Sequence, residues 1–74
     1  MDNIFIINKV NLPFMFDVGC LKSYIVNGRE YWTECKTYAA ARDEDNDCYF
    51  VKTNFDNVGV IDTENFDDYF VYLS

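Results

Sequence analysis

Asp43, Asp45 and Asp47, spaced two apart in "RDEDND", are the residues whose type and spacing first suggest chemistry. They fall on positions 1, 3 and 5 of the D-x-[DN]-x-[DN]-G loop that wraps calcium, in which alternate oxygens converge on one ion. The match then fails. Position 6, where glycine makes the sharp turn, is Cys48, and position 12, where a bidentate glutamate closes the shell, is Asn54. An aromatic strand pattern, "CYFVKT", begins where the loop should still be running. No metal site is expected here.

Catalytic chemistry is equally poorly provided. The chain has no histidine, so neither a Ser-His nor a Cys-His pair can be built, and its serines are Ser23 and Ser74 alone. Gly19, Gly28 and Gly59 are scattered rather than clustered into a phosphate-cradling loop. Paired carboxylates can do acid and base work only where a pocket raises one pKa, and these acids fall in segments expected to be wet. Cys20, Cys35 and Cys48 are an odd count without CxxC spacing, which reads as free, partly buried thiols rather than a zinc site. The expectation is a protein without enzymatic activity and without a cofactor.

The charge is more informative. Residues 1 to 42 carry Asp2, Asp17, Glu30 and Glu34 against Lys9, Lys22, Arg29, Lys36 and Arg42, a balance of +1. Residues 43 to 74 carry Asp43, Glu44, Asp45, Asp47, Asp56, Asp62, Glu64, Asp67 and Asp68 against Lys52, a balance of −8. A field of that sign repels nucleic acid and anionic lipid and attracts basic surfaces. Direct binding to nucleic acid or membrane is not expected; a basic protein surface is.

At 74 residues the chain is read as a single domain, 1–74, near the lower size limit for an independent core. Seven Phe, six Tyr and one Trp favour a packed fold over disorder. Its longest apolar runs, Ile4 to Ile7 and Tyr69 to Leu73, fall far short of the roughly 18 to 20 residues of a membrane helix. The start, "MDNIFIINK", has an acid where a secretion signal carries positive charge, so a cytoplasmic location is expected.

The elements that must position these residues can be read along the chain. "NIFII" (3–7) is a short β-branched run typical of a buried strand. Phe14 to Val18, after Pro13, reads as an edge strand or extended loop. In "SYIVNGREYWTEC" the Asn27-Gly28 pair suits a type I′ turn, which predicts a hairpin pairing Val26 with Arg29, Tyr24 with Tyr31 and Cys20 with Cys35. "TYAAAR" (37–42), with three consecutive alanines, predicts one or two helical turns. Strands are expected over 48–53 and 58–62, joined by a turn in "NFDN". Phe66, Tyr69, Phe70 and Leu73 form one helical stripe, capped by Asp62 or Thr63, with a final strand as the alternative. The sum is an α+β domain: an antiparallel sheet of four or five strands with a C-terminal α-helix packed on one face. The opposite face, carrying Tyr24, Tyr31 and Tyr49, would then need a short helix, a second copy or a partner to cover it.

Two uses of this surface follow. In an extended segment, i and i+2 side chains share a side about 6.6 to 6.8 Å apart, which aligns Asp43, Asp45 and Asp47 beside Glu44. Asp56, Asp62, Glu64, Asp67 and Asp68 lie in the same acidic half, and Tyr49, Phe55, Tyr69 and Tyr72 are interleaved as anchors. That pattern suits a nucleic-acid mimic directed at a basic groove. The alternative is an interaction or assembly module, including a homodimer, that works through Tyr24 and Tyr31 while acidity serves solubility; an antitoxin-like partner of a basic toxin is a third reading. In small size, strong acidity, abundant Asn, Tyr and Phe and lack of a catalytic set, the chain is similar to phage-encoded inhibitors of host defence, such as anti-CRISPR and anti-restriction proteins. The resemblance is compositional. It implies a protein acting in the host cytoplasm that blocks a nucleic-acid-binding complex by occupying its basic surface.

Overall fold

The computed structural model describes residues 4–73. Strands β1 (Ile4–Ile7), β2 (Phe16–Cys20), β5 (Thr37–Asp43), β6 (Cys48–Lys52), β7 (Val58–Asp62) and β8 (Phe70–Tyr72) form one sheet in the order β1-β7-β6-β5-β2-β8. Every neighbouring pair is antiparallel. Strands β3 (Tyr24–Val26) and β4 (Arg29–Trp32) make a separate hairpin, and helix α1 (Thr63–Tyr69) is the one helix among the described residues. The result is a small single domain, mostly antiparallel sheet, with six strands in its sheet rather than the four or five expected.

Two long connections give the sheet its layers. Residues 8–15 lead from edge strand β1 to β2 across one face, where Val10 and Phe14 pack over Ala41, Cys48, Phe50 and Val58. Helix α1 leads from β7 to the opposite edge, β8, across the other face. There Phe66 and Tyr69 join Val18, Ala40, Tyr49, Val51, Ile61 and Phe70, and the hairpin adds Trp32. Seven residues do not hold a helix in water on their own. This one is held by Phe66 stacking on Tyr49 at 3.8 Å between ring centroids and by the Asp62 cap, whose carboxylate accepts from the Asn65 amide at 3.3 Å. Each fully buried aromatic contributes roughly 1.5–3 kcal/mol of apolar transfer.

The Asn27-Gly28 turn forms as its sequence predicts, with φ of 52° and 79°. Its register holds at Val26–Arg29 and Ile25–Glu30, then shifts, so that Tyr24 pairs with Trp32 and not with Tyr31. That bulge turns Trp32 into the core. Cys20 and Cys35 are indeed neighbours, the Cys35 amide donating to the Cys20 carbonyl at 2.9 Å, but Cys20 belongs to β2.

Three further expectations are corrected. "TYAAAR" is strand β5, because Ala40 and Ala41 lie at the centre of the sheet. Ala40 is flanked by Phe16 and Val51, where a small side chain leaves room for aromatics above it; tertiary packing outweighs the helix preference of alanine. The segment after Pro13 is no edge, since β2 sits between β5 and β8. The C-terminal stripe buries Phe66, Tyr69 and Phe70, but the helix stops at Tyr69 and the chain becomes strand β8, leaving Leu73 exposed. The strand expected over 48–53 forms as Cys48–Lys52, one residue shorter, and the strand over 58–62 and the intervening loop stand as read.

Candidate functional site

Strands β5 and β6 are joined by residues 44–47, so the acidic stretch is a tight reversal and not the extended row that would align Asp43, Asp45 and Asp47. Asp43 holds the turn from within: its Oδ1 accepts from the amides of Asp45 at 3.1 Å and Asn46 at 3.3 Å, and its Oδ2 from Asn46 Nδ2 at 2.9 Å. The Asn46 side chain first, and these amides with it, hold the Asp43 carboxyl below its ordinary value, because each donor favours the charged form. Asp47 closes the turn in a left-handed conformation, φ 56°, which Asp tolerates better than most residues.

Arg42 staples the same turn. Its guanidinium donates to the Asp43 carbonyl at 2.7 Å, to the Cys48 carbonyl at 3.2 Å and to Asp47 Oδ1 at 2.9 Å, and it lies 5.1 Å from the centre of the Tyr49 ring. This is the one ion pair among the described residues. Asp47 also joins the turn to the helix: its carbonyl accepts from the Thr63 amide at 3.3 Å and its Oδ2 from the Thr63 hydroxyl at 3.2 Å. The two acidic segments are thereby bonded to each other.

The consequence is one acidic end. Glu44, Asp45 and Asp47 project from the turn, and Glu64, Asp67 and Asp68, at i, i+3 and i+4, line the outward stripe of α1, opposite buried Phe66 and Tyr69. All six are exposed. Asp56 is not part of this group, because it sits in the loop between β6 and β7 at the other end of those strands. Four of the bases gather there with it. Lys36 Nζ donates to Asn54 Oδ1 at 2.9 Å, Arg29 lies 4.3 Å over the Phe55 ring, and Lys9 and Lys52 line a cleft with Asp56. The molecule thus has an acidic end and a mixed, base-bearing end.

The four candidate tyrosines do not form a free sheet face. Tyr49 is buried under α1, while Tyr24 is half-buried against Trp32 and Tyr69, and Tyr31 is half-buried against Phe55. Tyr72 is half exposed, its hydroxyl 2.7 Å from that of Tyr49. Burial, and then this hydrogen bond, push the Tyr72 phenol up to about 12. The sequence pattern did not reveal the Asp47–Thr63 bond or the Arg42 staple. Arg42 stands next to the acidic run in sequence, and that adjacency is the one signal for the staple.

Burial also pushes the Cys20 and Cys48 thiols up, as expected of inert core cysteines. No group of three potential metal ligands occurs among the described residues, and none of their helices is long and apolar enough to cross a membrane. Comparison with protein-family models, with curated proteins and with solved structures finds no match to this chain. What the fold and surface define by themselves is a small antiparallel α+β domain with strongly segregated charge.

Proposed function

We propose that the protein is a non-enzymatic inhibitor that sets its acidic end on the basic surface of a nucleic-acid-binding protein, where phosphates would otherwise lie. The observation that carries this reading is the Asp47–Thr63 joint. It makes the turn and the helix a single scaffold from which Glu44, Asp45, Glu64, Asp67 and Asp68 project without an ion-pair partner among the described residues. Carboxylates held this way accelerate and orient encounter with a positive groove, and the charge of the partner is met without ordering a flexible tail. Tyr72, half exposed and near Asp67, supplies an aromatic contact at the same end. The compositional likeness to phage-encoded inhibitors points to a host defence complex of the anti-CRISPR or anti-restriction type as the target. The tyrosine-face alternative has less to work with, since Tyr24, Tyr31 and Tyr49 are engaged inside the molecule.

The test is capture from bacterial lysate at low and high salt, with mass spectrometry of the eluate. Wild type should recover nucleic-acid-binding proteins in a salt-sensitive manner, and added nucleic acid should displace it. A variant carrying Glu44→Gln, Asp45→Asn, Glu64→Gln, Asp67→Asn and Asp68→Asn should lose them, while Asp43 and Asp47 are kept because they build the turn. Equal capture by the neutralised variant would sink the reading.

A further inference from the structure

Strand β1 is an edge that carries no blocking side chain. Native edge strands are guarded by being very short, by a lysine, a proline or a bulge, or by a covering element; β1 is short, at four residues, but Ile4-Phe5-Ile6-Ile7 has no charge or proline and its register with β7 is unbroken. No described strand pairs with its outer side. Phe5 is 65% exposed and borders a shallow, mostly apolar groove lined also by Val60, Cys48, Asn46 and Asp62.

The charge layout says which occupant fits. The Ile4 end of β1 lies against Ile61, next to Asp62 and the acidic end; the Ile7 end lies against Val58, beside Lys9 and the base-bearing end. When two copies pair antiparallel along β1, each acidic end runs alongside the base-bearing end of the other copy. A parallel arrangement would set like ends together. An antiparallel edge pair is also self-complementary, so one patch serves both copies and the assembly closes at two.

We infer that β1 is the interface of a symmetric homodimer, in which the edge strands of two copies pair antiparallel and Phe5 of each covers the groove beside the other. The acidic end borders this surface without forming the strand pair: Asn46 and Asp62 reach the groove, while the turn between β5 and β6 begins two strands further into the sheet and the stripe of α1 faces outward. Self-association measured on the protein alone reads the strand pair apart from capture of a basic partner, so failure of one reading is distinguishable from failure of the other.

Sedimentation equilibrium across a concentration series tests it. Wild type should show a monomer–dimer equilibrium. Phe5→Lys, at a position outside the core, should raise the dissociation constant at least tenfold with an unchanged circular dichroism spectrum. Val71→Lys, on the opposite edge strand, should leave it unchanged. Lys9→Glu should weaken the dimer several-fold, and amides of β1 should gain hydrogen-exchange protection as wild-type concentration rises. A wild type that stays monomeric from micromolar to millimolar, a Phe5→Lys dimer as tight as wild type, open-ended growth, or indifference to Lys9→Glu would each overturn it.

Discussion

The indole of Trp32 fills the space that Gly59 leaves by having no side chain. A Cβ on Gly59 would come within 2.7 Å of the Trp32 Cη2 and closer still to Cζ2. The indole has no freedom to retreat, being fully buried and tied by its Nε1–H to the Lys52 carbonyl at 2.9 Å. Gly59→Ala should therefore cost about 1–3 kcal/mol through overpacking, and it should loosen the β3–β4 hairpin from the sheet. Denaturant unfolding followed by Trp32 fluorescence measures both: a lower midpoint and a red-shifted native spectrum.

Cys35 occupies a position that favours glycine for a different reason. It has φ 73° in the turn between β4 and β5, where the Lys36 amide donates to the Thr33 carbonyl at 3.1 Å; its own amide donates to the Cys20 carbonyl and the Cys20 amide to the Lys36 carbonyl, both at 2.9 Å. A side chain in the left-handed region is strained. Cys35→Gly should raise stability by about 1 kcal/mol, whereas Cys35→Ala, which removes the thiol and keeps the strain, should not. A thermal melt of the two variants under reducing conditions separates strain from thiol chemistry.

These two positions show what could be read from the sequence. The Asn27-Gly28 turn was legible because both residues advertise positive φ locally. Cys35 carries a similar positive φ with no signal in its residue type, and the turn that holds it is bonded on its far side to Cys20 of β2, fifteen residues away. Gly59 within "VGVID" reads as a weak strand residue until the hairpin docks on it. The alanines of β5 misled for the same reason: their value lies in the small volume they leave under Phe16 and Tyr49, a property of neighbours distant in sequence. The acidic half was visible as composition, but the separation of Asp56 from the other acids, and the joining of the rest through Asp47 and Thr63, are products of sheet topology.

The titration of two groups sets stability limits at opposite ends of the pH scale. The Asp43 carboxyl is held below its ordinary value of 3.8, so its contribution is present above that value and is lost as pH falls through the lowered one. Asp43→Asn keeps an acceptor for the turn amides and should flatten the acid limb of the stability curve below about pH 4. The Tyr72 phenol is raised from 10.0 to about 12, so its contribution is full below pH 10.0 and is lost as pH rises toward 12. Tyr72→Phe should remove that alkaline loss. Urea midpoints measured across both pH ranges for wild type and the two variants would show whether each limb follows its residue.

The acids of α1 are placed at some cost to the helix, and that cost separates recognition from mere solubility. Glu64 lies in the first turn, where negative charge favours the dipole, but Asp67 and Asp68 stand near the C-terminus with no basic residue in the last turn. Replacing both with Asn should raise stability by about 0.3–1 kcal/mol. If the acidic end engages a basic partner, the same double variant should also lose affinity in the lysate capture, most visibly at low salt, where charge contributes most to encounter. If these acids only keep the protein dispersed, capture should be unchanged and the variant should instead precipitate at lower concentration. Measuring melting temperature, capture and solubility on one preparation of the Asp67→Asn, Asp68→Asn protein decides between the two: a more stable protein with weaker capture supports recognition, and a more stable protein with undiminished capture excludes it for these residues.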